Sequence, residues 1–339
     1  MHRSEITIDL GAVRRNARRL LEVLEGSALW AVVKADGYGH GAVDVAGAVL
    51  AEGATALCVT TVEGGARLRR EFPTARILIL GPSAGRDVAL AREADLELAV
   101  WELPVPEGVR VHVKLDTGMG RWGLSELGEL GSNVVGLMTH LATADSDPAF
   151  AREQLKRFDE ATNAYSHLVR HAANSAAALR LPESRYDAAR CGVALYGLSP
   201  FGGSPADDGL EPALRWESRL AQVKQLRAGE STGYGRRFIA EVDTWIGVVP
   251  VGYADGFRRD MTGTEVAVNG RRCQVVGTVS MDAIAVRLEE PLAVDTPVTL
   301  IGDGVFAEDH ASVADTINYE VVTRIGSLPP RARRTVIDG

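Results

Sequence analysis

Lys34 closes an apolar run, Leu29 to Val33, and glycine-rich backbone follows at once: Ala35-Asp36-Gly37-Tyr38-Gly39-His40-Gly41. Lysine is costly to bury, so a lysine ending a buried strand needs a use. Desolvation lowers the pKa of its amine and exposes a nucleophile, which suits Schiff-base chemistry. The glycines let the backbone approach a ligand closely, and Tyr38 adds an aromatic face with a hydroxyl. The plainer alternative is a lysine that snorkels from a strand end into solvent. Further polar residues punctuate apolar segments downstream: Lys114, Asp116 and Arg121, then His140, then Asn174 and Ser175, then Arg190 before Gly192 and Val193.

These residues need a frame. Short apolar runs at 29–34, 54–61, 77–81, 96–101, 109–116, 134–140, 167–173 and 186–190 read as strands. Helical patterns lie between them, at 42–52, Val62–Glu71, Arg86–Glu93 and 148–165, and an amphipathic helix at 11–25 precedes them, with Asp9 or its neighbour as cap. Strands alternating with helices predict an α/β fold, a parallel (β/α)8 TIM-like barrel. Barrel chemistry sits at the C-terminal strand ends, with phosphate often held after strands seven and eight. The polar residues fall at those ends.

A turn-rich connector, Ser199-Pro200-Phe201-Gly202-Gly203-Ser204-Pro205, changes the pattern. Beyond it, runs at 216–226, 244–251, Glu265–Val268, 274–279, 283–288 and Pro297–Ile301 read as strands without intervening helices, and 309–317 as a short helix. The expected division is a barrel domain over 1–210 and a mostly-β C-terminal domain over 211–339.

The 339 residues are 46% hydrophobic and 24% charged, enough to bury a core. The formal net charge of -8 argues against nucleic acid or anionic membrane as partner. The first residues carry no apolar signal core, and no apolar run reaches membrane-spanning length. Cys58, Cys191 and Cys273 lack CxxC spacing and read as isolated reduced thiols, not a metal site. Cytoplasm is the expected compartment.

The stretch Ala31-Val32-Val33-Lys34-Ala35-Asp36-Gly37-Tyr38-Gly39-His40-Gly41 resembles the pyridoxal-phosphate attachment signature of the alanine racemases, and the likeness runs along nearly the whole chain. The resemblance implies that Lys34 carries pyridoxal 5'-phosphate and Tyr38 meets its phosphate. Val113-Lys114-Leu115-Asp116-Thr117-Gly118-Met119-Gly120-Arg121-Trp122-Gly123 resembles a second signature. There Arg121 would grip the substrate carboxylate with its planar fork. Lys114 matches a lysine often carbamylated in the family, with a pair to Asp116 as the alternative. His140 matches a histidine against the pyridine ring. Asn174, Ser175, Gly192 and Val193 match a phosphate cradle. Arg190 matches an arginine facing the pyridine nitrogen, whose permanent charge would leave that nitrogen unprotonated and limit side reactions.

In the second domain, Gly233-Tyr234-Gly235 matches the family's second base. A free tyrosine has a pKa of about 10, and a chain from Tyr234 through His140 to the Arg190 cation would favour its phenolate. Tyr253 would line the entry, and the backbone at Met281 would contact the substrate carboxylate. The resemblance implies a homodimer with the active site shared between subunits, interconverting L- and D-alanine by a two-base mechanism and supplying D-alanine for peptidoglycan. Two departures stand out: Ser280 replaces a common cysteine, and Ser327 aligns where some relatives carry an active-site tyrosine. The rival readings are a same-fold racemase or decarboxylase for a larger amino acid, and a non-catalytic pyridoxal-phosphate-binding protein.

Overall fold

The eight expected strands close into a parallel barrel in the computed structural model, which describes residues 3–326 and 329–339. In order they are Ala28–Val32, Ala56–Val59, Arg76–Ile79, Glu97–Val100, Arg110–Lys114, Val134–Met138, Val169–His171 and Ala188–Cys191, and the last pairs with the first. Strands buried on both faces read as continuous apolar runs, which is why they were legible. Two of the expected helices have the expected bounds, Val62–Glu71 and Arg86–Glu93. The others are Ala42–Ala51 and Pro148–Thr162, the latter ending in a tighter turn at Asn163–Tyr165. Asp9 caps the opening helix, Leu10–Leu24: its Oδ1 accepts from the backbone N–H groups of Gly11 at 2.8 Å and Ala12 at 3.2 Å.

The chain divides into two compact units. One is the barrel, Val13–Phe201 with Asp208–Leu210. The other holds the residues up to Ala12, Gly202–Asp207 and Glu211–Gly339. This differs from the expected 1–210 and 211–339 division at the N-terminus and at Gly202–Asp207, both of which go with the β unit. Strand Ser4–Asp9, absent from the sequence reading, pairs antiparallel with Leu214–Arg219 and parallel with Ala332–Ile337. A nine-stranded sheet results. The run 216–226 is two strands, Leu214–Arg219 and Gln222–Leu226, each paired with a different neighbour. The helix expected at 309–317 spans Ala307–Val313, and a second follows at Asn318–Thr323. No helix among the described residues is long and apolar enough to cross a membrane. All three cysteines are free; Cys58 and Cys191 are buried, and burial pushes both thiols up to about 12. Cys273 is only half-buried.

Candidate active site

Lys34 follows the first barrel strand, and the chain then makes a turn where the glycines predict an irregular loop. It is a left-handed helical turn. Ala35, Asp36, Gly37 and Tyr38 have φ of 51°, 52°, 62° and 54°. For residues other than glycine this hand costs roughly 1–2 kcal/mol each, and such strain collects at functional sites. Local bonds hold it: Gly37 N–H donates to Val33 at 3.0 Å, Gly41 N–H to the Asp36 carbonyl at 2.8 Å, and Asp36 Oδ1 accepts from Ala42 N–H at 3.0 Å. The turn drives Tyr38 into the core while Lys34 stays exposed at the barrel mouth, reaching solvent as a snorkelling lysine does. Its amine is nevertheless held below the ordinary lysine value, first by the protein mass around it and then by the Arg121 and Arg190 cations. A cavity of about 310 Å³ opens beside it, lined by Asp36, Val43, Thr60, Thr61 and Arg67 among others.

The Tyr38 ring packs 4.8 Å from that of Tyr196, whose hydroxyl donates to the Val32 carbonyl at 2.9 Å. Next to it, Ser175 Oγ accepts from Gly192 N–H at 2.9 Å and Ala194 N–H at 3.4 Å. The segments after strands seven and eight are thus stitched together at one polar point beside a tyrosine hydroxyl. Asn174 is spent on structure: its Oδ1 caps the helix Ser175–Arg180 through Ala177 N–H at 3.0 Å. Val193 is buried in the turn Val193–Tyr196.

Lys114 ends the fifth strand and is buried. The alternative pair with Asp116 is absent. That carboxylate instead accepts from the backbone N–H groups of Gly118, Met119 and Gly120 and closes the following loop. Burial, then the Arg121 and Arg190 cations, lower the Lys114 amine to about 8. Its Nζ sits 6.0 and 5.7 Å from the rings of Trp101 and Trp122, which stack on each other at 5.1 Å. Arg121 is exposed on the loop, 5.2 Å from the Trp122 ring.

Arg190 is buried with no carboxylate partner among the described residues. Its Nη1 donates to His171 Nδ1 at 2.6 Å and to the His171 carbonyl at 2.9 Å. Its Nη2 donates to the carbonyls of Thr139 at 2.7 Å and Ala172 at 3.2 Å, and meets His140 Nδ1 at 3.4 Å. All five contacts use Nη1 and Nη2, and among the described residues Nε–H has no partner. Burial lowers the guanidinium only to about 10, so it stays a cation near neutrality. His140 is lowered to about 3, by burial and then by Arg190, Lys114, Arg121 and Lys34, and is a neutral imidazole. His171, which ends the seventh strand, points inward onto Arg190.

Tyr234, Tyr253 and Met281 belong to the β unit and are exposed there by 72%, 42% and 50%. Tyr234 opens a short turn between Gly233 and Gly235, with φ of 79° and 71°, and its carbonyl accepts from Thr278 Oγ1 at 2.9 Å. Tyr253 N–H donates to Ser280 at 3.0 Å and Ala254 N–H to Met281 at 3.1 Å, so the two loops are zipped together. A Cβ on Gly252 would fall 2.3 Å from the Ser280 carbonyl, which is why glycine stands there. Ser327 lies outside the described residues.

The family description "Alanine racemase, N-terminal domain" matches residues 8–200, and "Alanine racemase, C-terminal domain" matches 213–333. Alanine racemase of Symbiobacterium thermophilum is 41% identical over 96% of this chain and 95% of its own. That of Ligilactobacillus salivarius is 38% identical over 96% of both. Among solved structures, alanine racemase from Streptomyces lavendulae matches with a TM-score of 0.92 at 35% identity, covering 100% of this chain and 98% of that one. The Bacillus anthracis enzyme with bound L-Ala-P matches with 0.87 at 34%, covering 99% and 95%. By both of its domains and along its whole length, the chain belongs to the alanine racemase family.

Proposed function

We propose that the protein is a pyridoxal-phosphate-dependent racemase that interconverts L- and D-alanine, working as a cytoplasmic homodimer. Family membership over the full chain supports the reaction. The observation that carries the reading is Arg190: a buried cation gripped at Nη1 and Nη2, with Nε–H left as a donor. A donor that cannot accept a proton suits a ring nitrogen kept unprotonated.

The residues present fit the cofactor. A Cβ at position 192 would fall 2.5 Å from the Tyr38 hydroxyl, so the glycine lets that hydroxyl close onto the turn after the eighth strand, beside Ser175 Oγ. Tyr38 Oη, the Ser175 hydroxyl and the Val193 N–H would hold its phosphate, with Gly192 N–H orienting Ser175 Oγ. Lys34 would hold its aldehyde carbon through Nζ. When bound, the group supplies an electron-withdrawing ring that acidifies the α-hydrogen of an attached amino acid.

The chain's own residues do the rest. Arg121 fixes the substrate carboxylate, and the lowered Lys34 amine takes or returns a proton at Nζ on one face. Inversion requires a second base on the opposite face. Tyr234 Oη fills that role, supplied by the other copy in the homodimer, with Tyr253 and Met281 beside it. Lys34 serves the D-enantiomer and Tyr234 the L-enantiomer. His140, neutral and accepting from Arg190 at Nδ1, carries its own proton on Nε2 and can donate it to the phenol oxygen. Lys114, with its amine lowered to about 8, is nucleophilic enough near neutrality to take up carbon dioxide as a carbamate, an anion that would hold Arg121.

The test is a panel of L-amino acids incubated with the pyridoxal-phosphate-loaded enzyme and assayed for D-product by chiral chromatography. D-alanine formed far faster than any other product supports the reading. A larger amino acid as best substrate, a decarboxylated amine, or no product at all would replace it with one of the rival readings.

A further inference from the structure

The interior of a (β/α)8 barrel is ordinarily filled by layers of branched apolar side chains. Here a polar line runs through it. Arg76, Glu97 and Arg110 each open a strand, and Glu97 accepts from Arg76 Nε at 2.7 Å and Arg110 Nε at 3.1 Å. Glu97 Oε2 lies 2.9 Å from His112 Nε2, and His112 Nδ1 lies 2.9 Å from His171 Nε2. His171 Nδ1 then meets Arg190 Nη1 at 2.6 Å. Both histidines are wholly buried, while Arg76 and Arg110 reach solvent. Trp30 flanks the line, 4.5 Å from the His171 ring and 5.6 Å from that of His112. On the neighbouring strand, a Cβ at Gly136 would fall 2.2 Å from His112 Nδ1, so only glycine leaves room for the contact.

Donor and acceptor rules fix every proton along it. A guanidinium has donors and no acceptor, so His171 Nδ1 is bare and its proton sits on Nε2. His112 Nδ1 must therefore accept, which places its proton on Nε2, facing the Glu97 carboxylate. An imidazolium at either position would set two donors against each other. The neighbouring Arg76 Nη2, 3.3 Å from His112 Nε2, is the weaker claimant on that nitrogen, since it would require the opposite tautomer. The charges agree. Burial first, then Arg190, hold His171 far below the ordinary histidine value. Burial also lowers His112. For Glu97 burial acts upward, but the hydrogen bonds from His112 and Arg76 and the Arg76 charge outweigh it and hold the carboxyl below its ordinary value.

We propose that Glu97 and His112 are positioning residues for Arg190, acting through His171: the carboxylate sets the tautomer of both imidazoles, and the bare His171 Nδ1 pins Nη1 so that Nε–H stays free. The kinetic part of this proposal rests on the racemase reading; the proton assignment does not.

The experiment is an imidazole ¹H–¹⁵N correlation spectrum of the full-length protein, labelled at its seven histidines, recorded with and without bound pyridoxal phosphate. His112 and His171 should each carry the proton on Nε2 with Nδ1 bare, in both samples. An imidazolium, or a proton on Nδ1 of either ring, overturns the proposal. Failure of the racemase reading would leave these spectra unchanged. In the loaded enzyme, His112→Leu removes the acceptor for His171 and should lower kcat about tenfold with little change in KM, the effect of one lost buried hydrogen bond. His112→Asn places a carboxamide oxygen near the position of Nδ1 and should restore most of the rate and the His171 tautomer. Equal damage from the two variants would mean His112 serves only as packing and would also overturn it. Should His112→Leu fail to fold, the spectrum of the parent protein still decides.

Discussion

The Tyr38 hydroxyl fills the space that a Cβ at residue 192 would take, 2.5 Å from that point. The contact joins the left-handed turn after the first strand to the turn after the eighth. Adding a methyl there forces one of two buried, close-packed segments to move. Gly192→Ala should destabilise the protein by about 1–3 kcal/mol, the usual cost of overpacking. It should also weaken pyridoxal-phosphate binding, because Tyr38 and the N–H groups of that turn would separate. Thermal melts with and without the cofactor check both, and an unchanged affinity would detach this corner from the phosphate site.

Borohydride reduction of the loaded enzyme should leave a pyridoxyl label on Lys34 and on no other lysine. Peptide mass mapping reads this directly. Lys34→Ala should abolish both the label and the yellow colour while leaving the fold intact, since the side chain is exposed. A label on Lys114 instead would reassign the site.

Lys114 titrates within the stability curve. Its folded value of about 8 lies below the ordinary 10.5, so between these pH values the unfolded chain binds a proton that the native protein has shed. Stability therefore rises across that window, by on the order of 3 kcal/mol, and below about pH 8 the full cost of the buried charge remains. Denaturant titrations from neutral pH upward should show the rise, and Lys114→Met should flatten it. Saturating bicarbonate should flatten it too if the amine is carbamylated, because a carbamate no longer titrates there.

Tyr234→Phe keeps the ring and removes only the hydroxyl, so it should leave the melting temperature nearly unchanged. Racemisation should fall by roughly two to four orders of magnitude, the contribution of a positioned acid–base group. Deuterium exchange at Cα should persist from D-alanine through Lys34 and be lost from L-alanine. Equal losses from both enantiomers would rule out the division of labour between the two bases.

Much of this was written in the sequence. Apolar runs of strand length alternating with helical patterns determined the barrel, because parallel strands covered on both faces leave a continuous apolar trace. The run ending at Lys34 and the segments around Lys114, Arg121, His140 and Arg190 announced themselves as polar residues at strand ends. What the sequence did not determine depends on contacts between distant residues. Ser4–Asp9 carries no pattern that names Ala332–Ile337 as its partner, and only assembly of the nine-stranded sheet makes that pairing. Ala35, Asp36 and Tyr38 have no intrinsic preference for a left-handed turn; the packing of Tyr38 on Tyr196 and against Gly192 over-determines it. Glu97, His112 and His171 stand on three different strands, ELAV, RVHVK and VRH, each indistinguishable in sequence from an ordinary satisfied core residue. They become one line only when the barrel turns their side chains inward, because alternation along a strand fixes which face a residue takes, while the tertiary structure decides what stands opposite.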